Sequence, residues 1–129
     1  ENNLSLNTNT QSFSIYSNFS KSRKTNGQAQ SRRPDLSYGL NYKKIINQTL
    51  IGPLNFNLNY KYTGKYIDYD GSKNSRQKST DILDLYFTKD FYGNILSLKI
   101  SNVLNERYEK PATYSQDGRK IMLGYRSLY

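Results

Sequence analysis

Apolar and polar side chains alternate one for one along most of this chain. Counted back in twos from the end, Tyr129, Ser127, Tyr125, Leu123 and Ile121 share one face; Leu128, Arg126, Gly124, Met122 and Lys120 share the other. A repeat of two is the side-chain period of a β-strand, not of a helix. The same alternation sets Phe13, Ile15, Ser17 and Phe19 against Ser14, Tyr16, Asn18 and Ser20, and Leu36, Tyr38, Leu40 and Tyr42 against Ser37, Gly39, Asn41 and Lys43. Residues 54–67 read as one long strand, with Leu54, Phe56, Leu58, Tyr60, Tyr62 and Tyr66 opposite Asn55, Asn57, Asn59, Lys61, Thr63 and Lys65. Leu83, Leu85 and Phe87 oppose Ile82, Asp84, Tyr86 and Thr88, and Leu96, Leu98 and Ile100 oppose Ser97, Lys99 and Ser101. Six strands result, with residues 1–7 as the tail of a seventh. No helix of useful length is predicted.

The connections alternate in length. Thr8–Gln11, Asn47–Pro53 and Asp90–Asn94 are short, whereas Thr25–Arg33, Asp68–Ser79 and Asn105–Gly118 are longer and polar. In an antiparallel meander this places all long loops at one end and all short turns at the other, the asymmetry of outer-membrane barrels. A strand crossing a bilayer at a tilt needs roughly 9–11 residues, and the segment 54–67 exceeds that. Tyr60, Tyr62 and Tyr66 near one strand end, and Phe91 and Tyr92 at a turn, suit a membrane–water boundary, where a ring with a wet hydroxyl is favoured.

Composition narrows the picture. Only 35% of the 129 residues are hydrophobic, too few for a large dry core, and 14% are aromatic, mostly Tyr. There is no Cys and no His, which excludes disulfides, thiolate metal sites and Ser-His-Asp or Cys-His catalysis. Nothing approaches the run of about eighteen apolar residues that a membrane helix requires, although barrel strands give only a weak hydropathy signal. The chain starts at Glu1 without a signal-peptide pattern and reads as an excised or processed piece. Six or seven strands do not close a membrane barrel, which takes at least about eight, so further strands are expected before Glu1.

A family resemblance appears from Leu98 onward. Leu98-Lys99-Ile100-Ser101-Asn102-Val103-Leu104-Asn105-Glu106-Arg107-Tyr108-Glu109 resembles the penultimate strand and following loop of TonB-dependent outer-membrane receptors. Tyr114, Gln116 and Gly118-Arg119 are similar to that family's approach to its last strand, and Leu123-Gly124-Tyr125 to the core of that strand. Arg32-Arg33-Pro34, Tyr60-Lys61-Tyr62-Thr63-Gly64 and Asp84-Leu85 fit its closing hairpins, so the likeness spans nearly the whole chain. It is nearest to the cobalamin-receptor branch and its siderophore-receptor relatives. The resemblance implies the C-terminal portion of a 22-stranded barrel whose lumen is filled by a plug domain absent from this chain. It also implies a terminal signal for the barrel-assembly machinery. Gly124, Tyr125 and Tyr129 match that signal; Ser127 departs from its usual apolar residue.

Little else carries chemistry. Asp81 and Asp84 are three apart and fall on opposite strand faces, so they do not form an acid–base pair. Asp68-Tyr69-Asp70-Gly71 hints at calcium, but an EF-hand loop needs Gly sixth and Glu twelfth, where this segment has Gly71 fourth and Ser79 twelfth. It reads as a turn. The net charge of +9 includes a cluster of Lys21, Arg23, Lys24, Arg32 and Arg33 around one long loop, a candidate contact for lipopolysaccharide phosphates. Nucleic acid is not expected as a partner, because the aromatics alternate along whole strands instead of forming a small stacking platform. Lys43, Lys61, Lys65, Lys99, Lys120 and Arg126 fall on the wet face.

These readings converge on an all-β antiparallel meander of six to seven long strands. Phe13, Ile15, Tyr38, Leu40, Leu54, Phe56, Leu58, Tyr60, Tyr62, Leu85, Phe87, Leu96, Leu98, Ile100, Ile121, Leu123 and Tyr125 are expected to face lipid. Arg107, Tyr108, Tyr114 and Gln116, in the last long loop, are candidate contacts for an incoming ligand. What the resemblance implies is a receptor in the bacterial outer membrane that imports a scarce nutrient complex, such as a ferric siderophore or cobalamin. It would draw on energy passed by TonB through the missing plug segment. It is neither an enzyme nor the holder of a cofactor. The competing readings are a passive or adhesive outer-membrane barrel of another family, and a soluble β-sandwich that binds nucleic acid or glycan.

Overall fold

Strict alternation commits each strand to two unlike faces, and pairing must then keep like faces together. In the computed structural model, which describes residues 2–21, 23–27, 30–47, 52–69 and 71–127, it does so throughout. The strands are β1 (Asn2–Asn7), β2 (Gln11–Phe19), β3 (Leu36–Ile46), β4 (Leu54–Thr63), β5 (Tyr66–Tyr69), β6 (Asn74–Gln77), β7 (Thr80–Phe91), β8 (Asn94–Ser101) and β9 (Lys120–Ser127). Seven of them form one sheet in the order β1-β2-β3-β4-β7-β8-β9, with every neighbour antiparallel. The remaining two, β5 and β6, form a small separate hairpin. No helix occurs among the described residues.

The register lines up one apolar row across all seven strands: Leu6, Phe13, Tyr42, Leu58, Leu85, Ile100 and Ile121 are successive cross-strand partners. A second row runs Leu4, Ile15, Leu40, Tyr60 and Leu83, and a third Phe56, Phe87, Leu98 and Leu123. Leu54, Tyr38, Tyr62, Leu96 and Tyr125 have the same parity. All seventeen side chains expected on one apolar face therefore share it. The opposite face carries Lys43 opposite Asn57, Asn41 opposite Asn59, Asn59 opposite Asp84, and Lys99 opposite Tyr86 and Met122.

Among the described residues no second sheet packs on the seven-stranded one, and only the long connections overhang part of the polar face. Among the described residues the one buried apolar side chain is Ala112, in a loop. Leu123 is 84% exposed on the β9 edge, and even Tyr38 and Ile15, in interior strands, are each 38% exposed. Aromatic contacts strengthen the apolar face from within: Tyr38 stacks on Tyr62 at 4.6 Å, and Phe56 meets Phe87 at 5.1 Å. Such cross-strand pairs contribute roughly 0.2–1 kcal/mol each. Three charged residues share this face near its ends: Asp81 opposite Tyr62, Lys89 opposite Leu54, and Lys44 opposite Phe56.

The long strand expected over 54–67 is interrupted. After Thr63 the Gly64 N–H donates to the Leu36 carbonyl at 2.8 Å. A Cβ at Gly64 would lie 2.7 Å from that same oxygen, so only glycine permits the closure. The chain then leaves the sheet, and Lys65 and Tyr66 belong to the connection, not to the wall. The polar stretch 68–79, expected to be an open loop, is mostly built into the β5–β6 hairpin. Residues 2–7 form a full edge strand; Leu128 and Tyr129 lie outside the described residues.

Short and long connections segregate as expected. Residues 8–10 join β1 to β2, and Tyr92-Gly93 join β7 to β8; 47–53 join β3 to β4, with 48–51 outside the described residues. The other end carries residues 20–35, 64–79 and 102–119. The β7–β8 turn has φ of 50° at Tyr92 and 78° at Gly93, the left-handed pair of a two-residue turn that matches strand twist. Replacing Gly93 with Ala should cost about 1–2 kcal/mol, read as a lowered denaturant midpoint at unchanged slope.

Candidate functional site

On the polar face, at the end with the long connections, lies a cleft of about 860 Å³. Its floor is the sheet: Asn59 and Lys61 of β4, Ile82 and Asp84 of β7. One wall is the β5–β6 hairpin with Tyr66, Arg76 and Gln77, continued by Lys78. The other is the β8–β9 connection with Arg107, Tyr108, Glu109 and Lys110. Arg32 and Pro34 of the β2–β3 connection complete the rim. Alternation supplies the floor, because only every second residue of β4 and β7 points to this side.

The walls are held by one carboxylate. Asp68 is 1% exposed and accepts hydrogen bonds from three donors. These are Arg32 Nε at 2.7 Å, the Ala112 N–H at 2.7 Å and the Tyr69 N–H at 2.8 Å. Arg32 comes from the β2–β3 connection and Ala112 from the β8–β9 connection, so all three long connections meet at Asp68. The Arg32 N–H also donates to the Ile67 carbonyl at 2.7 Å. The Arg32 guanidinium and the backbone donors hold the Asp68 carboxyl below its ordinary 3.8, outweighing the effect of burial. The same bond to Asp68 raises Arg32 further. Burial, followed by the negative charge of Asp68, pushes the Tyr66 phenol above its ordinary 10.0.

A second anchor lies at the start of the β8–β9 connection. Asn102 is 5% exposed, and its backbone has φ of 51°, a conformation that Asn adopts more readily than most residues. Its amide nitrogen donates to the carbonyls of Glu106 (2.8 Å) and Asp117 (3.2 Å), and its Oδ1 accepts the Glu106 N–H at 2.9 Å. Its own N–H donates to Asp84 Oδ1 at 2.8 Å. Three residues on, Asn105 Oδ1 accepts the Arg119 N–H at 3.0 Å, while Arg119 Nε donates to the Val103 carbonyl at 2.9 Å. The Asn102–Asn105 spacing and Gly118-Arg119 thus have a physical role: they fold the connection back on itself.

That folding separates the four candidate ligand contacts. Arg107 and Tyr108 line the cleft. Beyond them the chain forms a short ladder, with the Gln116 N–H on the Tyr108 carbonyl and the Lys110 N–H on the Tyr114 carbonyl, each at 2.9 Å. Tyr114 is 66% exposed outside the cleft. Gln116 spends its side-chain amide on the Lys110 carbonyl at 2.6 Å. Arg76 and Lys78 line the cleft but were not singled out from sequence, where the only signal was a basic run, Lys73 to Lys78, in a long connection; Tyr66, expected on the apolar face at a membrane–water boundary, lines the cleft instead.

The remaining candidates fall elsewhere. In the basic cluster Arg32 is turned into the Asp68 bond and Arg23 pairs with Asp35 at 3.2 Å. Lys21 lies 5.7 Å over the Phe19 ring, and Lys24 and Arg33 are exposed. Asp81 and Asp84 do point to opposite faces: Asp81 accepts from the Tyr60 hydroxyl, and Asp84 from Asn102 on the polar side. Both Asp68 oxygens are occupied by protein donors, and Asp70, the other carboxylate of the calcium-like turn, lies outside the described residues. Gly124 sits opposite Ser97, whose Oγ occupies the space a Cβ would take; Tyr125 donates its hydroxyl to Asn94 Oδ1 at 2.9 Å.

No protein-family model, curated protein or solved structure matches this chain.

Asn102→Ala should cost about 2–3 kcal/mol, since three side-chain hydrogen bonds at a buried site are lost together; denaturant unfolding measures it. Because the folded-state value of Asp68 lies below its ordinary 3.8, its tie contributes fully above about pH 4. It weakens as the pH falls through the lower folded-state value. Amide exchange at Ala112 should therefore stay protected at pH 4–7 and open only in stronger acid; in Asp68→Asn that acid-induced step should vanish.

Proposed function

We propose that this chain is the C-terminal part of the wall of a TonB-dependent receptor in a bacterial outer membrane, which binds a scarce nutrient complex and imports it. One observation carries the reading: an apolar face that continues across seven paired strands, covered by no second layer among the described residues, with a polar face behind it. A bilayer is the covering such a face requires. A soluble sandwich would instead seal Phe56, Leu58 and Leu98 between two sheets, and among the described residues no second sheet packs on the seven-stranded one.

The charged margins support the same reading. From Asp81 to Lys89, β7 takes eight steps, which at about 3.4 Å each span roughly 27 Å, or about 20 Å along the normal at a tilt of ~40°. That is close to the apolar band of about 25 Å around membrane barrels. At one margin the Lys89 ammonium reaches past the sheet to the Gly52 carbonyl at 2.6 Å, the way a long cation on an apolar surface keeps its head wet. At the other margin Tyr38, Tyr60 and Tyr62 cluster beside Asp81. The short turns then face the periplasm and the long connections face outward, where the cleft would meet an incoming solute. The motifs from Leu98 to Tyr125 supply the family assignment; energy from TonB would arrive through a plug segment not contained in this chain.

Placing an arginine on each face in turn tests the wall. Leu58→Arg should cost about 2–4 kcal/mol near the bilayer midplane and abolish insertion into outer membranes, whereas Asn59→Arg, one residue away on the wet side, should insert normally. The readout is heat-modifiable gel mobility of the membrane fraction. Equal behaviour of the two variants would overturn the facing and the receptor reading with it.

A further inference from the structure

We propose that the cleft on the polar face is a receptor site for a small polyanionic solute, one carrying several carboxylate or phosphate groups; the inference rests on the receptor reading and deepens it. The cleft contains both signs of charge, but they are not equally free. Each acid is engaged by the protein. Asp68 is held by Arg32 and two backbone N–H groups. Asp84 Oδ1 takes the Asn102 N–H at 2.8 Å, and Glu109 Oε2 the Thr113 N–H at 2.8 Å. The cations are not so engaged: among the described residues Lys61, Arg76, Lys78, Arg107 and Lys110 form no ion pair, although all five line the cleft.

These five cations come from three separate stretches of chain. Lys61 rises from the floor, Arg76 and Lys78 from one wall, and Arg107 and Lys110 from the other. Two arginines in opposite walls suit a ligand with two separated anionic groups, because a guanidinium grips carboxylate or phosphate through two parallel bonds. Like charges left unpaired around one concavity raise the local concentration of the opposite sign. The Tyr66 and Tyr108 side chains and the hydroxyls of Ser75 and Thr80 add aromatic and neutral hydrogen-bonding surface. About 860 Å³ accommodates a ligand of ordinary small-molecule size. The walls cannot drift apart while Asp68 ties them, so the cations are held in place before the ligand arrives.

Isothermal titration of the full-length protein in detergent with citrate, with tripolyphosphate and with neutral maltotriose tests the proposal. At least one of the two anions should bind, and which of them does assigns carboxylate or phosphate; maltotriose should not. Binding should weaken markedly as salt rises to about 0.5 M. The double variant Lys61→Gln/Arg107→Gln should weaken it by about tenfold or more, while Lys99→Gln, on the same face but outside the cleft lining, should leave it unchanged. Binding of neither anion, binding of maltotriose as tight as that of the anions, or an unaltered affinity in the double variant would overturn the site. Should the double variant misfold, the salt response of the unaltered protein decides alone: an affinity indifferent to salt rejects the proposal. Carbonate washing of membranes separates the two readings. Protein that washes off while still binding anions rejects the receptor and keeps the site; protein that stays but binds no anion rejects only the site.

Discussion

Every other feature of this molecule depends on the parity of its backbone hydrogen bonding. Antiparallel pairing sets residue against residue, and a slip of one would turn a whole strand inside out. Here seven strands keep the same parity, from Leu6 in β1 to Ile121 in β9. Among the described residues the buried apolar core is Ala112 alone, so the pairing itself is what keeps the apolar residues on one side. The sheet has two unlike sides, one apolar and one polar.

Above the wall the organisation changes from pairing to tethering. The long connections share little backbone ladder with the sheet and are held by side chains reaching across. Asp68 joins three of them, and Asn102 folds one of them upon its own start. The polar face becomes a cleft only because these two residues hold the connections over it. If the chain is a receptor wall, the same two residues shape the mouth through which a solute enters, and the five cations that form no ion pair among the described residues give that mouth its sign.

Much of this was legible in the sequence, for a physical reason. A period of two is a local signal, so the facing of Phe56, Leu58 and Leu98 could be read residue by residue, and so could the segregation of long and short connections. The break at Gly64 could not: it depends on the close approach of Leu36, twenty-eight residues away in sequence, and Lys65 and Tyr66 continued the alternation without a pause. The β5–β6 hairpin was hidden because β6, Asn74–Gln77, is polar on both sides, without apolar contrast to mark strand from loop, while Tyr66 of β5 read as the end of the preceding strand. Arg107 and Tyr108 were found through a motif, yet Tyr114 and Gln116 from the same loop turn away, since the ladder that separates them closes through backbone bonds no composition reveals. Arg32 looked like one more exposed cation; its bond to Asp68 spans thirty-six positions.

The meeting of three connections at Asp68 has a bearing on how such a protein can change over generations. Surface loops are ordinarily the parts that vary most freely, each replaceable without regard to the others. A shared central acceptor removes that independence: a lengthened first loop must still deliver a guanidinium, and a rebuilt last loop must still present an amide, to the same buried oxygen pair. Diversification of this cleft would then proceed by exchanging the entire set of loops at once, or by altering side chains such as Arg76 and Arg107 that line it without supporting it.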